Sequence, residues 1–299
     1  MKTMKHLTLI GACLCMAVGA AAQPVAVDTV RQDTFLFTPV KTVPITSVKN
    51  QHRSSTCWAF SACSFLESEL LRMGKGEYDL SEMFVVSHTM MDRAVNYVRH
   101  HGDHSFAPGG SFYDVLYCMK HYGLVPQCVM PGINYGDTLP NHNELDAIAN
   151  AYAGAVAKSS AKSLTPNWRM GLQAVYDSYL GACPTEFDYE GKHYTPLTFV
   201  EMLGLKADDY VSITSFSHHP FYETFAIEVQ DNWRHAMSYN LPIDDMMRVI
   251  DHAINEGYTI AWGADVSEVG FTRQGIGVMP DANKGAELTG SGQARWTGL

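Results

Sequence analysis

Residues 57–73, CWAFSACSFLESELLRM, constrain the fold of this chain more than any other stretch. A helix drawn through them carries only small residues, apolar residues and serine over its first three turns, so nearly every side of it requires cover. Such a helix runs through a core, and other elements have to wrap it. Gly74 and Gly76 stop it.

The flanking segments supply candidates for the wrapping. Residues 23–50 read as extended, with Pro39, Pro44 and alternating Val and Thr. A second helix begins after Ser81 as N-cap, has Glu82 in its first turn and continues to about Arg99. A third follows Gly109 and Gly110, reaches His121 and is stopped by Gly123 and Pro126. Residues 131–205 change character: NELDAIANAYAGAVAKSSAKS and NWRMGLQAVYDSYLGA are Ala-rich amphipathic stretches that read as a helical insertion. Beyond Asp208, DYVSITSF and TFAIEV are strand-like. A helix from Pro242 to Glu256 follows, with Ile243, Met246, Met247, Ile250 and Ile254 as its stripe and Gly257 as its stop. YTIAWGADV then reads as a buried strand. A helical first half and a strand-rich second half describe an α+β chain with two unlike domains. The expected divisions are 1–22, 23–130 (an arm and the helical domain), 131–205 (the insertion) and 206–299 (a β-rich domain).

Residues 1–22 have the form of a secretory signal peptide. Lys2 and Lys5 precede an apolar run from Leu7 to Val18, and Ala20-Ala21-Ala22 offers a cleavage site before Gln23. The run is too short to span a bilayer. The expectation is export to the periplasm or beyond, with lipid attachment at Cys13 as the competing reading. Loss of the leader makes the formal charge of −10 more negative by two lysines. An acidic chain without a basic cluster is a poor partner for nucleic acid phosphates. Cys57, Cys63, Cys118, Cys128 and Cys183 remain, an odd number that leaves at least one thiol free within a chain.

Cys57 opens the wrapped helix. A buried cysteine is an ordinary core residue, but at a helix N-terminus unpaired N–H groups and the macrodipole favour the reactive thiolate. Gln51, six residues earlier, is near enough in sequence for its amide to fold back beside the sulfur. A Gln amide and the Cys57 backbone N–H form the donor pair that an acyl-transfer oxyanion requires. These residues, Q-x5-C-W-A-F-S, resemble the catalytic segment of papain-like cysteine peptidases, which implies Cys57 as nucleophile and Gln51 as oxyanion donor. DLSEMFVVS resembles the helix start that follows in that family, and PGGSFYDVLYCMKHYGLVP resembles its glycine pair and next helix. The resemblance implies that Gly109 and Gly110 line an extended peptide substrate, with Trp58 beside the nucleophile in the same cleft.

The branch is also indicated. Secreted papain-type enzymes carry a disulfide cysteine and a glycine just before the nucleophile, where this chain has Ser54 and Ser55. VKNQ, SSTCWAF, the insertion, NLPID and GYTIAWGADVSE are more similar to the bleomycin hydrolase and aminopeptidase C branch. That similarity implies a papain-like two-domain fold with a central nucleophile helix, removal of N-terminal residues from peptides, no cofactor, and a ring-like, hexamer-type homo-oligomer.

A thiol peptidase needs an imidazole beside the sulfur and a group that orients it. In the family these follow the segment matched by IAWGADV and GIGVM; no His occurs after Met279 and no NSWG occurs at all. The expectation is therefore a chain truncated before its catalytic His and Asn, with a strand-rich domain that is incomplete. The alternative is a non-catalytic remnant or peptide-binding protein. His193 leads into a helix rather than an apolar strand, and His235 imitates the family's His-Ala pair but precedes the expected strand. RHHGDH places His100 and His104 four apart, a zinc spacing on a helix, but lacks the Glu of H-E-x-x-H and contains Gly102. His218-His219 before Pro220 reads as a turn. No metal site is assigned.

Overall fold

The wrapped helix is α1, Cys57–Arg72, in a computed structural model that describes residues 38–264. Trp58, Ala59, Ala62, Cys63, Leu66 and Leu70 are buried on it, and Gly74 ends it in the left-handed conformation. α2, Glu82–Arg99, starts where Ser81 Oγ accepts the Phe84 N–H at 3.2 Å and donates to the Met130 carbonyl at 2.6 Å. α3, Phe112–His121, is opened by a Ser111–Asp114 capping box. These three helices pack on one another.

The insertion is part of the core. α4, Asn143–Ala157, and α5, Asn167–Leu180, pack together and against α2. Leu145, Ala149, Leu172 and Tyr176 join one continuous cluster with Leu66 and Phe84. A hairpin that the sequence pattern did not suggest follows: β1, Phe187–Tyr189, antiparallel to β2, Lys192–Tyr194. α6, Pro196–Leu203, has Pro in its first turn and sits tightly on Gly123, where an added Cβ would come within 2.2 Å of the Pro196 carbonyl carbon.

The second half is built on three short strands. β3, Ile213–Thr214, β4, Thr224–Ala226, and β5, Met237–Asn240, lie in the order β3-β5-β4. β5 runs parallel to β3 and antiparallel to β4, with Thr214 opposite Asn240 and Phe225 opposite Ser238. α7, Ile243–Asn255, follows.

Two expectations change. The burial of α1 is not complete: Ser61 is exposed and Phe65 half-buried. A cavity of about 350 Å3 separates that face from Val43, Ile45, Ile254 and Tyr258. The apolar stripe of α7 is only partly covered among the described residues: Ile243 and Met247 are exposed, and Met246, Ile250 and Ile254 are half-buried. Residues 258–264 show no strand pairing there either, and Trp262 is 77% exposed. A strand needs a neighbouring backbone to complete its ladder, and no described element provides one. The signal-peptide reading, residues 23–37 and everything after residue 264 lie outside the described residues. No described helix is long and apolar enough to cross a membrane.

Candidate active site

Cys57 is the first residue of α1, and its thiol is free and exposed. Thr56 is the N-cap, yet its side chain caps nothing: its Oγ1 lies 2.5 Å from Ser54 Oγ. No acidic residue stands in the first turn. The Ala59 and Phe60 N–H groups donate to the Thr56 carbonyl at 2.9 and 3.2 Å, so among the first-turn donors those of Cys57 and Trp58 are left to whatever negative charge forms there, thiolate or oxyanion. Ser54 and Thr56 are both buried, so the hydroxyl pair acts as a clasp in the chain just before Cys57.

The loop before Cys57 is strained and braced. His52 and Ser55 both hold positive φ, at 46° and 56°, a region that side chains rarely adopt. Asn50 Oδ1 accepts the His52 N–H at 2.8 Å, and the Gln51 carbonyl accepts the Ser54 N–H at 3.1 Å. The start of the insertion then clamps the loop from outside. Arg53 N–H donates to the Pro140 carbonyl and His142 N–H to the Arg53 carbonyl, each at 3.0 Å. His142 is 1% exposed, and its Nε2 is buried without a hydrogen-bond partner among the described residues. Burial outweighs the opposing pull of the Ser54 backbone and pushes its pKa down to about 4, so it stands neutral under the loop. These contacts brace the loop without a disulfide, the nearest cysteine in sequence being Cys57 itself. Sequence spacing does not reveal them, because they depend on a bridge between segments far apart in the chain.

Gln51 is half-buried, and its Oε1 is buried without a hydrogen-bond partner among the described residues. That oxygen is an acceptor, so the hydrogen bond to an oxyanion would have to come from the amide nitrogen, Nε2, on the other side of the same group. Behind the loop, Lys49 Nζ lies 2.6 Å from Glu67 Oε1, 2.6 Å from Asp79 Oδ1 and 3.2 Å from Glu82 Oε1. This anchors the segment that leads into Gln51.

The glycine pair has a spatial reason rather than a conformational one, since neither residue has positive φ. A Cβ on Gly110 would come within 2.8 Å of the Trp58 ring, and one on Gly109 within 2.6 Å of the Asp231 carboxylate. Trp58 is 3% exposed and donates to the Pro108 carbonyl at 3.0 Å, so it supports the strip from beneath. Arg93, fully buried, donates to the carbonyls of Gly109, Ser105 and Gln230. It thereby joins the glycine strip to the 227–236 loop. Arg234 locks the other end of that loop: its guanidinium is 2.7 Å from both Asp114 Oδ1 and Asp92 Oδ2 and lies over the Tyr117 ring. In the sequence both arginines resemble ordinary surface cations.

No hydrogen bond reaches the Cys57 sulfur among the described residues. His193 is exposed on β2 and engaged by Asp188 at 3.0 Å. His235 has positive φ, and its neighbour Asn232 is not free to orient it. The Asn232 amide is used on Ile227, on the Ala236 carbonyl and on the Ala236 N–H. His100 and His104 stack at 3.8 Å beyond the end of α2, so the helical zinc spacing does not arise.

Comparison with known families decides the lineage. Residues 3–282 match the peptidase C1-like family. The chain belongs to that family. Among curated relatives, aminopeptidase G of Lactobacillus delbrueckii subsp. lactis is 25% identical over 268 residues, covering 75% of this chain and 60% of the relative. Aminopeptidase C of Streptococcus thermophilus is 24% identical over 299 residues, covering 84% and 65% respectively. The chain thus spans about three-fifths of the length of these relatives. The crystal structure of PepW from Lactobacillus rhamnosis superposes with a TM-score of 0.57 at 20% identity, over 78% of this chain and 63% of that one. It shares the papain-like α+β fold.

Proposed function

We propose that this protein is a cysteine-type peptidase acting as an aminopeptidase, with Cys57 as its nucleophile. The carrying observation is the exposed thiol on the first residue of α1, at a helix start that no side chain caps. Attack of the thiolate on a peptide carbonyl forms the acyl-enzyme and expels the amine, which takes up a proton; water then releases the acid and regenerates the thiol. The Gln51 amide nitrogen and the Cys57 N–H stabilise the oxyanion, and the Gly109-Gly110 backbone, backed by Asp231 and Trp58, lines an extended peptide as the family resemblance implies. The aminopeptidase names of the relatives support the exopeptidase reading. The test is turnover of aminoacyl-coumarin amides by protein made from its complete reading frame. Substrates with a free N-terminus are cleaved and N-acetylated ones are not. Equal cleavage of both sets replaces the exopeptidase reading with an endopeptidase one.

One observation favours a second reading. Among the described residues no imidazole pairs with Cys57, and loss of a general base lowers the rate by about 10²–10⁴. On that reading the protein binds peptides without cleaving them. Peptide binding without turnover in the assay above identifies it.

The leader at residues 1–22 supports export, and mature protein is expected to begin at Gln23. N-terminal mass analysis checks this, and a lipidated Cys13 is the contrary result. A ring-like homo-oligomer is proposed from the branch resemblance, and light scattering of the mature protein decides it.

A further inference from the structure

The turn between β3 and β4 carries His218 and His219, and Glu228 lies just beyond β4. Both imidazoles converge on one carboxylate oxygen: His218 Nε2 is 3.4 Å and His219 Nε2 3.3 Å from Glu228 Oε2. The three donor atoms lie within 4.8 Å of one another. Charge-assisted hydrogen bonds run about 2.7–2.9 Å, so these contacts are long for an ion pair. Zinc bonds to imidazole and carboxylate run about 2.0–2.2 Å, and tetrahedral angles then separate neighbouring ligand atoms by roughly 3.3–3.5 Å. The two separations from Glu228 Oε2 are those of tetrahedral edges, and the imidazole pair lies within 4.8 Å.

The ligands are also held in place. Asn240 on β5 is fully buried, and its amide nitrogen reaches the carbonyls of Phe216, His219 and Pro220 at 2.9, 3.0 and 3.1 Å. Its oxygen accepts the Phe216 N–H at 2.8 Å. Phe225 stacks on the His219 ring at 3.9 Å and meets the His218 ring edge-on. Backbone and rings are thus fixed by groups that do not themselves ligate, as a metal site requires.

We propose that His218, His219 and Glu228 form a divalent-cation site with zinc as its metal. Two imidazoles and one carboxylate suit zinc and not magnesium or calcium, which take oxygen ligands. His218 and Glu228 are exposed, so a fourth position is left to water. Glu228 also roots the loop whose Asp231 faces Gly109, so a bound ion fastens that loop to the β3–β4 turn. This site is independent of the peptidase reading.

The test is titration of the full chain with zinc chloride, after carboxamidomethylation of exposed thiols so that Cys57 and Cys128 do not compete. One equivalent binds with micromolar or better affinity, raises the melting temperature and survives a tenfold excess of magnesium. Glu228→Gln and His219→Ala each weaken binding at least tenfold, while His104→Ala leaves it unchanged. Glu228 is exposed, so its variant keeps the fold even if loss of the His219 stack does not. The proposal is overturned if no equivalent binds below millimolar zinc, if binding is undiminished in Glu228→Gln, or if it is lost in His104→Ala.

Discussion

Replacing Lys49 with Met removes the cation that serves two buried carboxylates. Glu67 is fully buried and Glu82 is 2% exposed. Glu67 keeps two donors in the variant, Thr46 Oγ1 at 2.6 Å and the Leu80 N–H at 2.8 Å. Glu82 Oε1 has only the Lys49 ammonium beside it, at 3.2 Å, and no well-aligned hydrogen-bond donor among the described residues. Burial pushes Glu82 up to about 7 even with Lys49 beside it. Breaking one side of a buried pair destabilises by about 3–5 kcal/mol. We expect the low end, about 3 kcal/mol, at pH 6, where Glu82 already holds a proton. Above pH 7 the wild-type carboxylate ionises against Lys49, whereas the variant retains its proton. Each further pH unit then adds up to about 1.4 kcal/mol to the penalty. Guanidinium unfolding of both proteins at pH 6 and pH 8 measures this directly. The native state remains populated, because domains of this kind carry about 5–15 kcal/mol. A penalty under about 1 kcal/mol at both values, or one that shrinks as pH rises, refutes the reasoning.

His142 titrates in the opposite sense. Its folded pKa, about 4, lies below the unfolded value of 6.5, so its contribution is complete above pH 6.5 and is lost as pH falls toward 4. His142→Gln is therefore destabilised at pH 7, and by about 1.4 kcal/mol less for each pH unit below 6.5; urea unfolding at pH 7 and 4.5 checks this. Gly110→Ala pushes a methyl group into the Trp58 ring, with an expected loss of about 1–3 kcal/mol and a shifted tryptophan fluorescence. Arg234→Leu leaves the 1%-exposed Asp114 without its guanidinium, with an expected loss of about 3 kcal/mol by denaturant unfolding. Iodoacetamide modifies the exposed Cys57 and Cys128 in the native protein, whereas the fully buried Cys63 and the nearly buried Cys118, whose thiols burial pushes well up, react only after unfolding; peptide mapping by mass spectrometry reports it.

The helices were legible where periodicity and capping agree. Ser81 before Glu82, and Pro242 before an isoleucine and methionine stripe, mark α2 and α7 to within a residue. The β1–β2 hairpin was not legible, since strands of three residues carry too few alternations to register. β5 was missed for a related reason: MSYN alternates exposed and buried residues over only four positions. At the candidate site, Cys57 and Gln51 stand out because a cysteine, a glutamine and a helix start coincide within one short segment. What braces them is non-local. His142, Arg93 and Arg234 act through contacts with distant segments, and buried cations and a neutral buried imidazole leave no pattern in neighbouring residues. Likewise His218-His219 reads only as a turn until β4 brings Glu228 beside it.

The most direct test of Cys57 as the nucleophile is to quench the protein, made from its complete reading frame, during turnover of an activated aminoacyl ester and to weigh its peptides. The account predicts the acyl mass on the peptide that contains Cys57, and no turnover in Cys57→Ala. An adduct on another residue, or turnover that survives Cys57→Ala, would contradict it.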